Sequence, residues 1–402
     1  MLNELGVEKL VNGYGSVATI GGTIVSDDVI DAMKEVSKSF VVMEELHKAA
    51  GEHISSKIGA EAAYITSGAG AGIVLSVAAC ITRGNTEAML HLPDTDHSAS
   101  EVLIQKLHRS TFDYLATLAG GKLVEFGDEK ATNSEDLRRA ISKKTCAVLH
   151  FVFDPQEGSL PLEDVVSIAH EKGVPVIVDA AAELPPVSNL EKYAKSGADL
   201  AIFSAGKDMG APNDTGLLVG RKGMIDICRR LGSHNYEIID GKARIFIGRP
   251  MKVSKEDVVA VVAAFDKYLV TDHGLRIKKW EERVRRIVTS LSSRQDIRVR
   301  MVDATIEHGP RPLCIPRVQI DFLNRHVNAG KIMVELQSGH PPIYLYTVGR
   351  SLCINPQYLE DGDEDLISVR LNSILDSVVT SQAPSVPRLM SRSQPKRESI
   401  HP

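Results

Sequence analysis

The chain has 402 residues, of which 43% are apolar and 25% are charged, so it can bury a sizeable core without disulfides. Its formal net charge is −5, and it lacks the basic excess of a protein that binds nucleic-acid backbones. The five cysteines form no CxxC pair, which is typical of reduced thiols, and no apolar run is long enough to span a bilayer. We therefore expect a cytoplasmic protein that binds neither nucleic acid nor a membrane.

Short apolar runs alternate with amphipathic stretches over the first two-thirds of the chain. The predicted strands are 88–92, 101–105, 122–126, 146–152, 175–179, 200–203 and 216–220. The predicted helices between them include 134–141, 162–172 and 189–196. Several strand runs are almost continuously apolar, as in parallel sheets that are covered on both faces. The pattern predicts an α/β fold with a mainly parallel sheet.

The pattern changes near residue 245. Ser254 is a good N-cap for a helix over 254–268, and a second long helix is predicted over 275–291. The remaining predicted elements are strands at 298–302, 317–321 and 351–354 and a helix at 363–375. We expect a large domain over 1–245, which begins with an arm at 1–25, and a smaller α+β domain over 246–376. Residues 377–402 are rich in Ser, Pro, Arg and Lys and are predicted to form a disordered tail.

Two residues at the ends of neighbouring predicted strands carry the strongest chemical signal. Asp179 ends the run 174–179, and Lys207 follows the run 198–203 after a tight Ser-Ala-Gly turn. Sheets of α/β proteins bind ligands at the carboxyl ends of their strands, where both residues would lie. Pyridoxal phosphate requires a lysine that forms a Schiff base and an acid that keeps the pyridine nitrogen protonated. A buried lysine also loses its proton more readily, which frees the amine to attack. We therefore predict a pyridoxal-phosphate site at Lys207 and Asp179.

A turn of small residues supports the same prediction. Ser67, Gly68 and Ala69 follow a short predicted strand and open an apolar helix. Free N–H groups at a helix N-terminus bind phosphate, and a glycine there lets the backbone approach the ligand closely. We expect these three residues to bind the phosphate of the cofactor, with the hydroxyl of Ser204 as an additional ligand.

Several segments combine in a pattern that is specific for one family. The most informative are Val11-Asn-Gly-Tyr-Gly, Ala62-Ala-Tyr-Ile-Thr-Ser-Gly-Ala, Val178-Asp-Ala-Ala-Ala-Glu-Leu-Pro-Pro, Phe203-Ser-Ala-Gly-Lys and Ile247-Gly-Arg-Pro. From about Leu10 to about Leu375 the chain resembles the selenocysteine synthase-like group of pyridoxal-phosphate enzymes, which includes D-glucosaminate-6-phosphate ammonia-lyases. The combination is specific for the family and not for a substrate.

The resemblance implies the fold-type I architecture of the aminotransferase superfamily and a homodimer or a larger homo-oligomer. It also implies that Lys207 forms the Schiff base, that Asp179 pairs with the pyridine nitrogen and that His108 stacks on the cofactor. We expect Gln105 and Arg109 to line the substrate site. Arg249 is expected to hold a substrate carboxylate or phosphate, because its planar guanidinium suits either group. No metal ligands are expected.

Structural roles are the alternatives for the less certain site residues. His108 could be a capping or surface histidine, and Gln105 and Arg109 could be polar residues at a strand end. Arg249 could form an ion pair between the two domains.

The expected reaction is an α,β-elimination by a pyridoxal-phosphate lyase of the ammonia-lyase or dehydratase type. Its substrate would be a β-hydroxy or β-substituted amino acid, such as an amino sugar acid. Racemisation, aldol cleavage and selenocysteine synthase-like β-replacement share the same carbanionic chemistry, and the sequence does not separate them. An RNA-dependent role needs a basic face, whereas the basic stretch 276–286 is interleaved with Glu281 and Glu282. A role without catalysis is disfavoured because Lys207 and Asp179 are both present.

Overall fold

The computed structural model describes residues 1–153, 156–303 and 311–382. The strands are β1 (Val11–Asn12), β2 (Ala62–Thr66), β3 (Glu101–Gln105), β4 (Lys122–Phe126), β5 (Thr145–Phe151), β6 (Val176–Asp179), β7 (Leu200–Ser204), β8 (Gly216–Gly220), β9 (Glu237–Ile239), β10 (Lys242–Arg244), β11 (Ile297–Val302), β12 (Arg317–Phe322), β13 (Ile343–Tyr344), β14 (Tyr346–Val348) and β15 (Ser351–Ile354). The helices are α1 (Asp27–Val36), α2 (Met43–Ile58), α3 (Gly68–Thr82), α4 (Thr86–His91), α5 (Leu115–Leu118), α6 (Ser134–Ala140), α7 (Leu162–Glu171), α8 (Ser188–Ala194), α9 (Lys222–Leu231), α10 (Lys255–Val270), α11 (His273–Leu291), α12 (Ala329–Gln337) and α13 (Asp363–Gln382).

A seven-stranded sheet forms the centre of the large domain. Its strand order is β2-β8-β7-β6-β5-β3-β4, and β8 is antiparallel to both of its neighbours. The pairs that join β7, β6, β5, β3 and β4 are all parallel. The predicted α/β fold with a mainly parallel sheet is therefore confirmed. Because both β2 and β7 are antiparallel to β8, β2 runs in the same direction as β7. The carboxyl ends of β2, β3, β5, β6 and β7 therefore lie at one edge of the sheet.

Both faces of this sheet are covered by helices, which explains the continuously apolar strands. Neighbouring residues of β6 belong to different core clusters: Val176 and Val178 pack with α2, α7, α8 and α10, whereas Ile177 packs with α3 and α9. All seven residues of β5 are buried. Each fully buried aliphatic side chain contributes about 1.5–3 kcal/mol to the driving force for folding. Among the described residues, no helix is both long enough and apolar enough to cross a bilayer.

A smaller antiparallel sheet forms the C-terminal part of the chain. Its strand order is β11-β12-β15-β14, and its core cluster is formed mainly with residues of α11, α12 and α13. The arm at the start of the chain packs here, because β1 pairs in parallel with β13. The smaller α+β domain that the sequence predicts is therefore confirmed. The predicted boundary at 245 remains a prediction, since α10 packs against α1 and α2 of the large domain.

Two predicted elements differ from the structure. The run 88–92, predicted as a strand, lies mostly in helix α4, because Asn85 caps that helix by accepting a hydrogen bond from the amide of Ala88. A short apolar run does not distinguish a strand from a buried helix. Helix α13 continues to Gln382, past the predicted start of the tail at 377, and the rest of that predicted tail lies outside the described residues. The predicted N-cap at Ser254 is confirmed as part of a capping box with Asp257.

Candidate active site

Lys207 lies in a tight loop between β7 and β8, directly after the carboxyl end of β7. The amides of Ala205 and Gly206 both donate to the carbonyl of Thr215, at 3.1 and 3.2 Å, and the amide of Gly210 donates to the carbonyl of Lys207. A Cβ atom on Gly206 would lie 2.5 Å from the Cα atom of Asn213, so only glycine permits this close return of the chain. The loop thereby places Lys207 at the ligand-binding edge of the sheet.

Asp179 ends β6, the neighbour of β7, and lies at the same edge. Its carboxylate accepts a hydrogen bond from the amide of Ala181 at 2.9 Å, and the residue is only 9% exposed. Burial raises the pKa of Asp179 to about 6, although the Ala181 amide and Lys207 act in the opposite direction. Burial also lowers the pKa of Lys207, while the charges of Asp179 and Glu183 partly offset that shift. The two groups therefore share one poorly solvated region, where burial shifts the pKa of each towards its neutral form.

The predicted phosphate turn lies beside the Lys207 loop. Ser67 is the N-cap of α3, but its side chain makes no capping hydrogen bond, so it leaves the first amides of the helix without a side-chain partner. Gly68 has a φ of +76°, a conformation that favours glycine. Gly216 pairs with Ser204 in the sheet, and a Cβ atom on Gly216 would lie 2.4 Å from the carbonyl carbon of Gly68. Gly216 contacts Gly68 and pairs with Ser204. The turn at Ser67 therefore lies next to Ser204, which precedes Lys207 by three residues.

His108 follows β3 and is completely buried. Its ring packs edge-on against His150 at 4.7 Å and against Phe153 at 5.6 Å. Neither ring nitrogen of His108 has a hydrogen-bond partner among the described residues. Burial lowers the pKa of His108 to about 4, and burial and His108 together lower that of His150 to about 3, so both rings are neutral near pH 7. The stacking of His108 on the cofactor remains a prediction.

The three residues predicted to bind substrate already have partners in the protein. The Gln105 side chain donates to the carbonyl of Leu160 at 3.0 Å and accepts from its amide at 2.7 Å, which ties β3 to the segment before α7. Arg109 is half-exposed and forms ion pairs with Asp113 and Glu125. Arg249 is exposed and donates to the carbonyl of Ser233 at 3.0 Å. Substrate contacts by Gln105, Arg109 and Arg249 remain predictions.

The ion pair between Glu183 and Arg311 was not predicted from the sequence. Glu183, four residues after Asp179, is 3% exposed, and both of its carboxylate oxygens pair with the guanidinium of Arg311. Arg311 precedes β12 of the smaller sheet, and its side chain is 13% exposed. The charge of Glu183 acts on the pKa values of both Asp179 and Lys207, so the pair lies within electrostatic range of the site. In the sequence, only the position of Glu183 soon after Asp179 indicated that it could belong to the site.

The residues of this edge fit pyridoxal phosphate in three respects. The carboxylate of Asp179 and the amine of Lys207 act on each other's pKa, and burial shifts the pKa of each group towards its neutral form. The first turn of α3 offers amides that Ser67 does not cap. The buried ring of His108 has two nitrogens that find no hydrogen-bond partner in the described part of the chain. Lys207 would hold the cofactor covalently, Asp179 its pyridine nitrogen and Ser67, Gly68 and Ala69 its phosphate.

A separate cavity of about 390 Å³ lies at the opposite edge of the sheet. Its lining includes Asp199 before β7, Pro175 before β6 and Arg221 after β8. Asp199 accepts hydrogen bonds from His170 and from the amide of Val176, both at 2.8 Å. The polar groups there satisfy one another, so we place the chemistry at Lys207.

Comparison with known proteins gives consistent matches. The family model of class-V aminotransferases matches residues 27–343. A D-glucosaminate-6-phosphate ammonia lyase from Salmonella typhimurium is 30% identical over 382 residues, which cover 93% of this chain and 97% of that protein. A 5'-C-glycyluridine monooxygenase-decarboxylase from Streptomyces is 29% identical over 92% of this chain and 91% of that protein.

Two further matches support the resemblance that the sequence shows. A solved structure of D-glucosaminate-6-phosphate ammonia-lyase superposes with a TM-score of 0.78 at 28% identity, covering 94% of this chain and 98% of that one. An L-seryl-tRNA(Sec) selenium transferase from Mannheimia succiniciproducens is 28% identical over 39% of this chain and 37% of that protein. The predicted resemblance is therefore confirmed. The chain belongs to the class-V aminotransferase family and is a pyridoxal-phosphate enzyme.

Proposed function

We propose that this chain is a pyridoxal-phosphate lyase that removes ammonia from a β-hydroxy or β-substituted amino acid, such as an amino sugar acid. The observation that carries the proposal is the placement of Lys207 and of the buried carboxylate of Asp179 at the carboxyl ends of the neighbouring parallel strands β7 and β6. The similarity to an ammonia lyase over most of both chains supports the reaction type. For a β-hydroxy amino acid, the overall change gives one 2-keto acid and one ammonia per substrate, without an added oxidant.

The residues of the site have separate parts in this chemistry. The bound cofactor would supply an electron sink for the negative charge that develops at Cα. Lys207 would remove the proton from Cα, because burial lowers the pKa of its amine and so favours the unprotonated form that acts as a base. Asp179 would hold the proton on the pyridine nitrogen. His108 would present a neutral ring to the cofactor, since the pKa of this residue is lowered to about 4.

A panel of amino acids tests the reaction type. The purified enzyme, loaded with pyridoxal phosphate, is incubated with D- and L-serine, D- and L-threonine and D-glucosaminate 6-phosphate. We expect ammonia and a 2-keto acid in equal amounts from at least one of them. A change of chirality without ammonia would indicate a racemase, and release of an aldehyde would indicate an aldolase; either result would overturn the lyase proposal.

A second candidate reaction follows from the Streptomyces relative, whose name describes a monooxygenase-decarboxylase and which is almost as similar. The same panel distinguishes it if oxygen uptake and carbon dioxide release are recorded. Oxygen-dependent release of carbon dioxide would favour this second reaction. Ammonia release that is unchanged without oxygen would favour the lyase.

We also propose that Arg311, and not Arg249, binds the substrate carboxylate. Arg311 already holds a carboxylate, that of Glu183, in a bidentate pair near Lys207. A substrate carboxylate presents the same planar group and could take the place of Glu183. In the free enzyme, Glu183 would serve as a counter-ion of the largely buried Arg311.

Paired substitutions distinguish the two arginines. With an amino acid that the panel shows to be turned over, we expect Arg311→Gln to raise KM by roughly 10- to 100-fold, because a charged hydrogen-bonded pair is lost. Arg249→Gln serves as the control and should change KM less than about threefold. Steady-state kinetics of both variants would measure this. A larger increase in KM for Arg249→Gln than for Arg311→Gln would show that Arg249 binds the substrate carboxylate, as the sequence predicts.

Two exposed apolar groups support assembly into a homodimer or a larger homo-oligomer, which we propose as well. Phe40, Val41 and Val42 precede α2, and Phe40 is fully exposed. Ile238 and Ile245 are exposed on and after the hairpin of β9 and β10. Exposed apolar groups of this kind mark interfaces between proteins.

A further inference from the structure

The residue after Lys207 has the most completely bonded carboxylate near the site. Asp208 is 7% exposed, and each of its two oxygens accepts two hydrogen bonds. One oxygen accepts from Arg276 at 2.7 Å and from Gln357 at 2.7 Å. The other accepts from Arg276 at 3.1 Å and from the hydroxyl of Tyr268 at 2.8 Å. A carboxylate has about four acceptor positions, so the bonding capacity of Asp208 is filled.

The donors come from three separate parts of the fold. Tyr268 lies on α10 and Arg276 on α11, and the guanidinium of Arg276 also stacks over the ring of Trp280 at 4.9 Å. Gln357 comes from the turn after β15 of the smaller sheet. Asp208 therefore joins the Lys207 loop to α10, to α11 and to the turn after β15 at a single point.

A series of hydrogen bonds connects Gln357 to the arm at the start of the chain. The amide of Gln357 donates to the side chain of Asn355 at 3.0 Å, and the amide of Asn355 donates to the carbonyl of Gly13 at 2.8 Å. Gly15 has a φ of +119°, and a Cβ atom there would lie 2.5 Å from the side-chain nitrogen of Asn355. The arm, the turn at 355–357 and Asp208 thus form one continuous set of contacts that ends beside Lys207.

We propose that Asp208 is a positioning residue that makes the placement of Lys207 depend on the docking of the arm and the C-terminal domain. Consecutive Cα atoms are about 3.8 Å apart, so a displacement of Asp208 also displaces Lys207. When Gln357 is in place, the carboxylate of Asp208 is held on both oxygens and the Lys207 loop has one position. When Gln357 is lost, one oxygen loses a donor and the loop is less constrained. This inference rests on the proposed attachment of the cofactor at Lys207.

The alternative is that Asp208 only stabilises the fold through its ion pair with Arg276. The measurement must distinguish this structural role from the positioning of Lys207. A structural pair would change the melting temperature of the enzyme and nothing at Lys207. A positioning residue would also change how fast the amine of Lys207 condenses with the aldehyde of pyridoxal phosphate, a step that releases one water. It would shift the pH at which the absorption band of the attached cofactor titrates. Both quantities can be measured without a substrate.

Two glutamines provide a matched pair of substitutions. Gln357 and Gln319 are each 8% exposed, and each donates one hydrogen bond to an aspartate, Asp208 at 2.7 Å and Asp321 at 2.8 Å. Gln319 lies in β12, and no described contact links it to Lys207. We expect Gln357→Leu to slow cofactor attachment by about tenfold and to shift the titration of the band by about one pH unit. Gln319→Leu should lower the melting temperature similarly and leave both readouts unchanged.

Two glycines of the arm provide a second, independent pair. Gly15→Ala should displace Asn355 and reproduce the effect of Gln357→Leu at the cofactor. Gly21 also has a positive φ, of +96°, but a Cβ atom there would meet nothing within 4 Å. Gly21→Ala carries a comparable backbone strain and should leave the attachment rate unchanged.

The outcomes separate failure of the coupling from failure of the site. If Gln357→Leu and Gly15→Ala attach the cofactor at the wild-type rate with the wild-type titration, the coupling through Asp208 is wrong. Equal spectral effects from Gln319→Leu and Gln357→Leu would also overturn it. If the wild-type enzyme forms no covalent link at Lys207, the proposed attachment itself is wrong.

Discussion

Lys207→Ala should abolish covalent attachment of pyridoxal phosphate and lower turnover by roughly 10³-fold or more, because one amine both holds the cofactor and removes the proton from Cα. The structure favours this double use, since burial lowers the pKa of Lys207 while the loop holds its backbone by the hydrogen bond from Gly210. The absorption spectrum of the purified variant, recorded with added pyridoxal phosphate, measures attachment directly. Ammonia release from the amino acid that the panel identifies measures turnover.

Lys207→Arg separates the need for a primary amine from the need for a long basic side chain at this position. A guanidinium is basic and of similar length, but it does not form a Schiff base with the aldehyde of pyridoxal phosphate. We expect this variant to fold and to lose attachment as completely as Lys207→Ala. An unchanged absorption band in either variant would show that another lysine holds the cofactor.

Much of the fold could be predicted because local pattern and global packing agree in this chain. The runs at 101–105, 122–126 and 216–220 match β3, β4 and β8 residue for residue. β8 is buried along its whole length and its sequence is apolar throughout, as expected of a strand that is covered on both faces. The prediction failed at 88–92, where a similar apolar run lies on α4 against α3. Only the cap at Asn85 distinguishes the two cases, and the run itself carries no such signal.

The centre of the candidate site was predictable for a related reason. Lys207 and Asp179 both stand at the ends of apolar strands, so two local patterns were enough to place them at one edge of the sheet. Asp208 and Glu183 depend on partners that lie far away in the sequence. Arg276 is 68 residues from Asp208, Gln357 is 149 residues from it, and Arg311 is 128 residues from Glu183. Such pairs form only through tertiary packing, and no local pattern indicates them.

The second large effect is expected for Asp179→Asn, which removes the charge that would hold a proton on the pyridine nitrogen of the cofactor. Turnover should fall on the order of 10²- to 10³-fold, the range seen when one charge-stabilising contact is removed from an active site. Attachment at Lys207 should persist, because an asparagine side chain is nearly isosteric with the aspartate and leaves the amine in place. Steady-state kinetics together with the absorption spectrum would separate the two effects. Loss of the absorption band in this variant would show that Asp179 acts on attachment as well.

The same substitution should stabilise the cofactor-free protein at neutral pH. Burial raises the pKa of Asp179 to about 6 in the folded state, above the ordinary value of 3.8 for the unfolded chain. Between about pH 4 and 6 the folded state binds more protons, so the contribution of this group to stability falls as the pH rises. By pH 7 the ionised carboxylate costs on the order of 3 kcal/mol, which Asp179→Asn would recover.

Asp266→Asn is the control for this pH dependence, because its effect has the opposite sign. Burial raises the pKa of Asp266, but its bonds to Lys57 and His53 outweigh burial and lower that pKa below the ordinary value. Its stabilising contribution is therefore present at neutral pH and is lost as the pH falls. Relative to the wild type, the melting temperature of cofactor-free Asp179→Asn should rise between about pH 4 and 7. That of Asp266→Asn should stay below the wild type by a constant amount over this range and approach the wild type only below about pH 4. If Asp179→Asn instead lowers the melting temperature at every pH, burial does not destabilise the ionised carboxylate of Asp179. The proposal that Asp179 is the partner of the pyridine nitrogen would then be wrong.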